Sequence, residues 1–262
     1  MLEMIDKGQA SDAHPHPLLF VHGAWHGGWC WNEHFLDFFA GRGFRALALS
    51  LRGHGTSPIE KSLRACSISD FLSDLSSVAQ NLPTPPVLVG HSIGGFLVQK
   101  YLETHEIPAA VLIASAPPRG HLRSLMRSMR RHPCRSTKFA LTGNPARLYG
   151  STAGARELFF GSKAPDSLVE AVTTRLQPES TRAIFLDMVA ADLVNTRKIS
   201  TPTLVIGGES DQVYAVSDIR RTAKAYNTAP VFFPDMGHEL MLEPGWVAVA
   251  NTLMSWLGKQ RL

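Results

Sequence analysis

Gly90-His91-Ser92-Ile93-Gly94 sets a serine between glycines, directly after the apolar run VLV (87–89) and before a helical stretch. A serine on a tight strand-to-helix turn stands at the C-terminal edge of its sheet with the hydroxyl exposed, and such a turn tolerates only small neighbours. The helix that follows adds the positive end of its dipole where negative charge would develop. A serine hydroxyl is a poor nucleophile without a base. Among eleven histidines, His238 occupies a suitable place, since Asp235-Met236-Gly237-His238 follows the apolar run APVFFP (229–234). An acid that orients such a base should follow a strand as well, and Asp211 does, after TPTLVIGGE (201–209). Asp187, Asp192, Asp218 and Asp235 are the competing acids. Asp235 reads as a brace in the turn that carries the histidine.

The elements that must position these groups are legible as short apolar runs alternating with amphipathic stretches. Strands are predicted at 18–23, 44–50, 87–92, 109–115, 201–209 and 229–234, and helices at 29–41, 68–82, 95–104 and 245–257. The strand runs are continuously apolar and do not alternate, which marks strands covered on both faces. Repeated strand and helix then predict an α/β fold, a doubly wound, mainly parallel sheet of about six strands. Residues 117–198 break the rhythm with helical stretches only. The expected organisation is a core from 1–116 and 199–262 and a helical cap insertion at 117–198.

Hydrophobic residues make up 44% of the 262 and charged residues 18%, which excludes a disordered chain. No apolar run approaches 18 residues, so no membrane span is predicted. The first residues, MLEMIDKGQASDAHPHP, carry acids and no apolar core, unlike a signal peptide. Cys30, Cys66 and Cys134 are odd in number and irregularly spaced, arguing against a disulfide framework and for a reducing, cytoplasmic setting. The net charge of +4 is uneven: residues 107–155 hold eight Lys or Arg and no acid. No uniform basic face suggests nucleic acid. Within that segment Leu122, Leu125, Met126 and Met129 fall at helical spacing with Arg123, Arg127, Arg130 and Arg131 around them. Such a helix either draws in an anionic substrate or membrane surface, or lays its apolar face over a pocket while its arginines are solvated.

FVHGAWHGGWCW, SLRGHGTS, VGHSIGG, VIGGESDQVY and DMGHELMLEPGW, in that order, resemble blocks of the α/β-hydrolase fold family over nearly the whole chain. HGAWHGGWCW is similar to small esterases and hydroxynitrile lyases related to plant methyl-ester hydrolases. The resemblance implies a serine hydrolase of carboxylic esters with Ser92 as nucleophile, His238 as base and Asp211 as its partner, in the family's chain order. It also implies an oxyanion hole from the backbone N–H groups of Ala24 and Ile93, and no cofactor. A thioesterase or carbon–carbon hydrolase would use the same triad, and a non-catalytic receptor could use the same scaffold. Dehalogenases and epoxide hydrolases place an aspartate where Ser92 stands. The lyases carry lysine where this chain has Glu239.

The chain departs from the family at Ser50, where aspartate is usual, and this should loosen the loop through Arg52-Gly53-His54-Gly55. The 17 residues ahead of the first strand leave no room for the usual antiparallel hairpin, so the sheet is expected to start at that strand. His22, His26, His54 and His91 match no zinc spacing, and no carboxylate joins them. Trp25, after the oxyanion residue, is the best candidate among Trp25, Trp29 and Trp31 to line a substrate pocket, with Leu122 and Met126 across from it. The expected partner is a small ester with a hydrophobic part, neither nucleic acid nor a bilayer.

Overall fold

The computed structural model describes residues 1–262. One sheet carries seven strands: β1 (Met4–Lys7), β2 (Leu18–Val21), β3 (Ala46–Leu49), β4 (Val87–His91), β5 (Ala110–Ile113), β6 (Thr203–Gly208) and β7 (Pro230–Phe233). Their spatial order is β1-β3-β2-β4-β5-β6-β7. The six strands from β2 to β7 are parallel, as their sequence pattern requires. Every residue of β2 through β6 is buried, because helices cover both faces. The outermost parallel strand, β7, is only half-buried.

The sheet does not begin at β2. Residues 4–7 add β1 antiparallel to β3, with Met4 opposite Leu49. A single edge strand needs no hairpin, so the short N-terminal segment suffices. MIDK escapes an apolar-run criterion because an edge strand is half in water. The same segment repairs the loop at Ser50. Glu3 accepts from the hydroxyls of Ser50 and, at 2.9 Å, Thr56, while the Ser50 hydroxyl accepts from the Gly28 N–H at 2.8 Å. A carboxylate from the residue just ahead of β1 thus braces the loop that Ser50 was expected to leave loose.

Helices α1 (Trp29–Asn32), α2 (Phe35–Ala40), α3 (Ile68–Ala79) and α4 (Ile93–Tyr101) precede β5. Helix α3 shows how local sequence sets an end: Ser67 and Asp70 cap each other's backbone N–H, and Ile68, Phe71, Leu75 and Ala79 make the buried stripe. Between β5 and β6 there is no strand. The chain there forms α5 (Leu122–Arg131), α6 (Pro133–Thr142), α7 (Pro145–Tyr149), α8 (Thr152–Phe159), α9 (Asp166–Thr173) and a π-helical stretch, Ala183–Ala191. Helices α10 (Val216–Ala225) and α11 (Trp246–Lys259) complete the chain. No helix is long and apolar enough to cross a membrane.

The β5–β6 helices are fastened to the sheet by buried polar contacts. Gln177 takes the Gly55 N–H at 2.7 Å, and its own N–H reaches the Trp25 carbonyl at 2.8 Å. His54 Nε2 lies 3.2 Å from Glu179 Oε2, both groups fully buried. Burial alone would depress this imidazole, but the Glu179 charge and hydrogen bond outweigh it and raise its pKa. Asp187 accepts the Ile68 N–H at 2.9 Å, at the start of α3. Arg127 and Arg131 on α5 are not simply solvated. Arg127 bonds Asp218 at 2.7 Å and the Val213 carbonyl at 3.0 Å, and Arg131 bonds Gln212, so both tie α5 to the loop after β6.

Close approach of β2 to the start of α4 dictates glycine at position 94. A Cβ there would sit 2.4 Å from the carbonyl oxygens of Val21 and His22. Gly94→Ala should therefore cost about 1–3 kcal/mol by overpacking, read as a lower urea midpoint with an unchanged m value. A variant as stable as the parent would show that β2 and α4 can separate freely.

Candidate active site

Ser92 joins β4 to α4 at φ 53 and ψ −116, a conformation that a side chain rarely tolerates. Strain of this kind costs about 1–3 kcal/mol and persists only where the surroundings fix it. The Ser92 N–H donates to the Ile113 carbonyl and its carbonyl accepts from the Ala116 N–H, each at 3.1 Å. A Cβ on Gly90 would lie 2.6 Å from the Gly94 oxygen and the Gly95 Cα. The glycines flanking Ser92 are thus required by the folding of the turn back on itself.

His238 and Asp211 arrive from the ends of β7 and β6. His238 Nδ1 donates to Asp211 Oδ2 at 2.8 Å, with both side chains buried. The other Asp211 oxygen accepts the N–H groups of Val213 and Tyr214 at 2.7 and 2.9 Å, which fixes the carboxylate's orientation. Burial pulls the His238 pKa down, but the Asp211 charge and hydrogen bond overcome it and leave it above the ordinary value. Asp235 points away to the exposed Lys163 at 2.9 Å. The remaining competitors are engaged elsewhere, Asp187 and Asp218 as above and Asp192 with Lys100 at 2.9 Å.

The His238 loop is held from three sides. The His238 N–H donates to the Phe159 carbonyl at 2.7 Å, at the end of α8. His91 Nε2 lies 3.0 Å from the His238 carbonyl, so it carries the proton and donates. Glu243 accepts the N–H groups of Gly237 and Gly161, both at 2.8 Å, joining the loop to the residues after α8. His91 and Glu243 are positioning residues; the sequence reading weighed His91 only as a metal ligand or a packing residue and did not single out Glu243. His91 carries no signal beyond adjacency to Ser92, and Glu243 lies in a block matched only as a whole.

The His91 and His238 rings are 4.6 Å apart between centroids, which brings His238 beside the Ser92 turn. Ser92 forms no hydrogen bond with His238, and it shares a cavity wall with Tyr214. Hydrogen bonds of this kind are often made only once substrate is bound. The N–H groups of Ala24 and Ile93 have no partner and lie beside Ser92 on the wall of one cavity. The histidines that invited a metal reading are spent on protein. His22 accepts the Leu51 N–H at 3.0 Å, His26 contacts the Ala24 carbonyl at 2.8 Å, and His54 and His91 are engaged as described.

That cavity encloses about 300 Å³ and is walled mostly by apolar side chains. Trp25 and Met126 line it, with Leu125, Met129, Phe139 and Phe185. Leu122 does not. It lies on the first turn of α5, 49% exposed, and lines a separate polar cleft with Arg119 and Arg123. His121, one residue earlier, and Ser124 and Leu125, on the next turn, line the cavity, so Leu122 sits on the side of α5 turned away from it.

Behind His238, Glu239 Oε2 faces His26 Nε2 at 3.4 Å, both fully buried. Burial raises Glu239 to about 8 and lowers His26 to about 4, so both are mostly uncharged at neutral pH.

The profile of the family described as "Alpha/beta hydrolase family" matches residues 18–250. Methylesterase 18 of Arabidopsis thaliana is 32% identical over 105 residues, 38% of this chain and 39% of that one. The chain thus matches about two-fifths of the length of the first curated relatives. A non-heme haloperoxidase of Rhodococcus erythropolis is 26% identical over 247 residues, 85% of each chain. Among solved structures, the thermophilic esterase of Thermogutta terrifontis superposes with a TM-score of 0.77 at 18% identity, covering 100% of this chain and 94% of that one.

Glu239 gives a stability test. Its folded pKa, about 8, lies above the unfolded 4.5, so its contribution is complete below 4.5 and is lost as pH rises to about 8. Glu239→Gln should gain on the parent across that window by on the order of 1 kcal/mol per pH unit. Urea midpoints at both ends of the window measure it, and a constant difference would mean the carboxyl is ionised throughout.

Proposed function

The chain belongs to the alpha/beta hydrolase family, and from that premise we propose that it hydrolyses carboxylic esters through Ser92, His238 and Asp211. The observation that carries this reading is the buried 2.8 Å bond from His238 to Asp211. It commits Nδ1 as a donor and leaves Nε2 as the basic nitrogen of the ring. His238 takes the Ser92 proton as Oγ attacks the ester carbonyl. The oxyanion forms against the Ala24 and Ile93 N–H groups, which need no rearrangement because nothing else holds them; one such donor is worth about 3 kcal/mol. The alcohol departs with the proton from His238, leaving an acyl-serine. Water, deprotonated by the same imidazole, then releases the acid. Asp211 keeps the tautomer and stabilises the imidazolium.

The helices between β5 and β6 act as a cap, within residues 117–198. They supply most of the apolar wall, which favours esters with a hydrophobic acyl or alcohol part. The relatives named as methylesterases support a small alcohol on one side of the ester. Arg127 and Arg131 brace the cap and do not steer substrate.

Ser92→Ala should fold and lose on the order of 10⁶ in turnover, and a fluorophosphonate should label the parent at Ser92 alone. Retained hydrolysis in the alanine variant would overturn the assignment.

For the parent, kcat/KM should rise with pH as His238 loses its proton, with a midpoint above the ordinary 6.5. Asp211→Asn should lower that midpoint and cost about 10⁴ in rate, as the wrong tautomer does in other triads. Asp235→Asn should change neither. The opposite order would move the orienting acid to Asp235.

A further inference from the structure

Tyr214, three residues after Asp211, plays no part in the scheme above, yet it is buried with its ring centroid 5.6 Å from that of His238. With Ser92 and His121 it lines the cavity. Its hydroxyl lies 3.2 Å from His121 Nδ1, and His121 Nε2 lies 2.7 Å from the Ile184 carbonyl oxygen in the π-helical stretch. These contacts fix every proton. Burial lowers the His121 pKa and keeps the ring neutral. A carbonyl can only accept, so Nε2 carries the ring's one hydrogen and Nδ1 is bare. Tyr214 must therefore donate to Nδ1, which leaves only lone pairs on its oxygen for a group in the cavity it lines with Ser92. Burial, reinforced by the Asp211 charge, raises the phenol's pKa and keeps it protonated.

The cavity's serines offer a substrate little. Ser124 donates to the Val213 carbonyl at 2.5 Å, and Ser128 and Ser136 bond each other at 3.0 Å. The Tyr214 oxygen is the acceptor beside the nucleophile. Building on the esterase reading, we propose that Tyr214 is a specificity-determining residue, which accepts from a substrate hydroxyl during turnover. The preferred substrates are esters with a free hydroxyl on the carbon next to the ester group, on the acyl or the alcohol side. An ester without that hydroxyl leaves the buried acceptor unpaired.

The test compares kcat/KM for matched esters. One series is a 2-hydroxyacyl methyl ester, its 2-methoxy counterpart and the unsubstituted ester. The other is the 2-hydroxyethyl, 2-methoxyethyl and propyl esters of one acid, so the two series tell the acyl from the alcohol side. In the parent, the hydroxy member of one series should exceed its methoxy and unsubstituted partners by about 10- to 100-fold. Tyr214→Phe should bring that ratio close to one. His121→Phe frees the phenol proton, so Tyr214 becomes a donor and the methoxy member should gain on the hydroxy member. Loss of packing alone would not reverse that order. Equal ratios in both series for the parent, or a preference that survives Tyr214→Phe, would overturn the proposal while leaving the esterase reading intact. If the parent turns over no ester and the fluorophosphonate leaves Ser92 unlabelled, the esterase reading fails and this proposal with it.

Discussion

The backward bend of the chain at Ser92 is the constraint to which the surrounding structure answers. A serine at φ 53 is held there by bonds to β5 on one side and by glycine-only contacts on the other. Gly90, Gly94 and Gly95 let the turn, the start of α4 and the end of β2 occupy nearly the same space. That closeness sets the Ala24 and Ile93 N–H groups beside the serine.

Around the turn, burial holds several titratable groups in their uncharged forms. His22, His26 and His91 are depressed, first by burial, and Glu239 is raised by it. His238 and His54, each facing a carboxylate, are the buried histidines whose pKa rises. One of these pairs serves the proposed chemistry; the other clasps the cap to the core. In a low-dielectric interior an isolated charge is costly, so which buried histidine faces an ionised acid decides where a proton can reside; His26 faces Glu239, which burial keeps protonated.

Much of this was legible in the sequence because it depends on local rules. Continuous apolar runs gave the six parallel strands, glycine spacing gave the turn, and position after a strand singled out His238 and Asp211. What escaped depends on contacts between distant segments. β1 is half in water and carries no apolar run, and Glu3 gains its meaning only by lying beside Ser50. Leu122 shares a helical stripe with Met126, but periodicity cannot say which edge of that stripe faces a cavity and which faces another cleft. The arginines of α5 read as free charge because Asp218, Val213 and Gln212, their partners, are some eighty or more residues away.

The His238 N–H is bonded to the carbonyl of Phe159, the last residue of α8. The loop that carries the His238 ring is thus anchored to α8 as well as to the sheet, with Glu243 pinning the same junction through Gly161. Any shift of α8 would reach the imidazole directly, so the helices between β5 and β6 and the geometry of His238 form one mechanical unit although they are far apart in the chain.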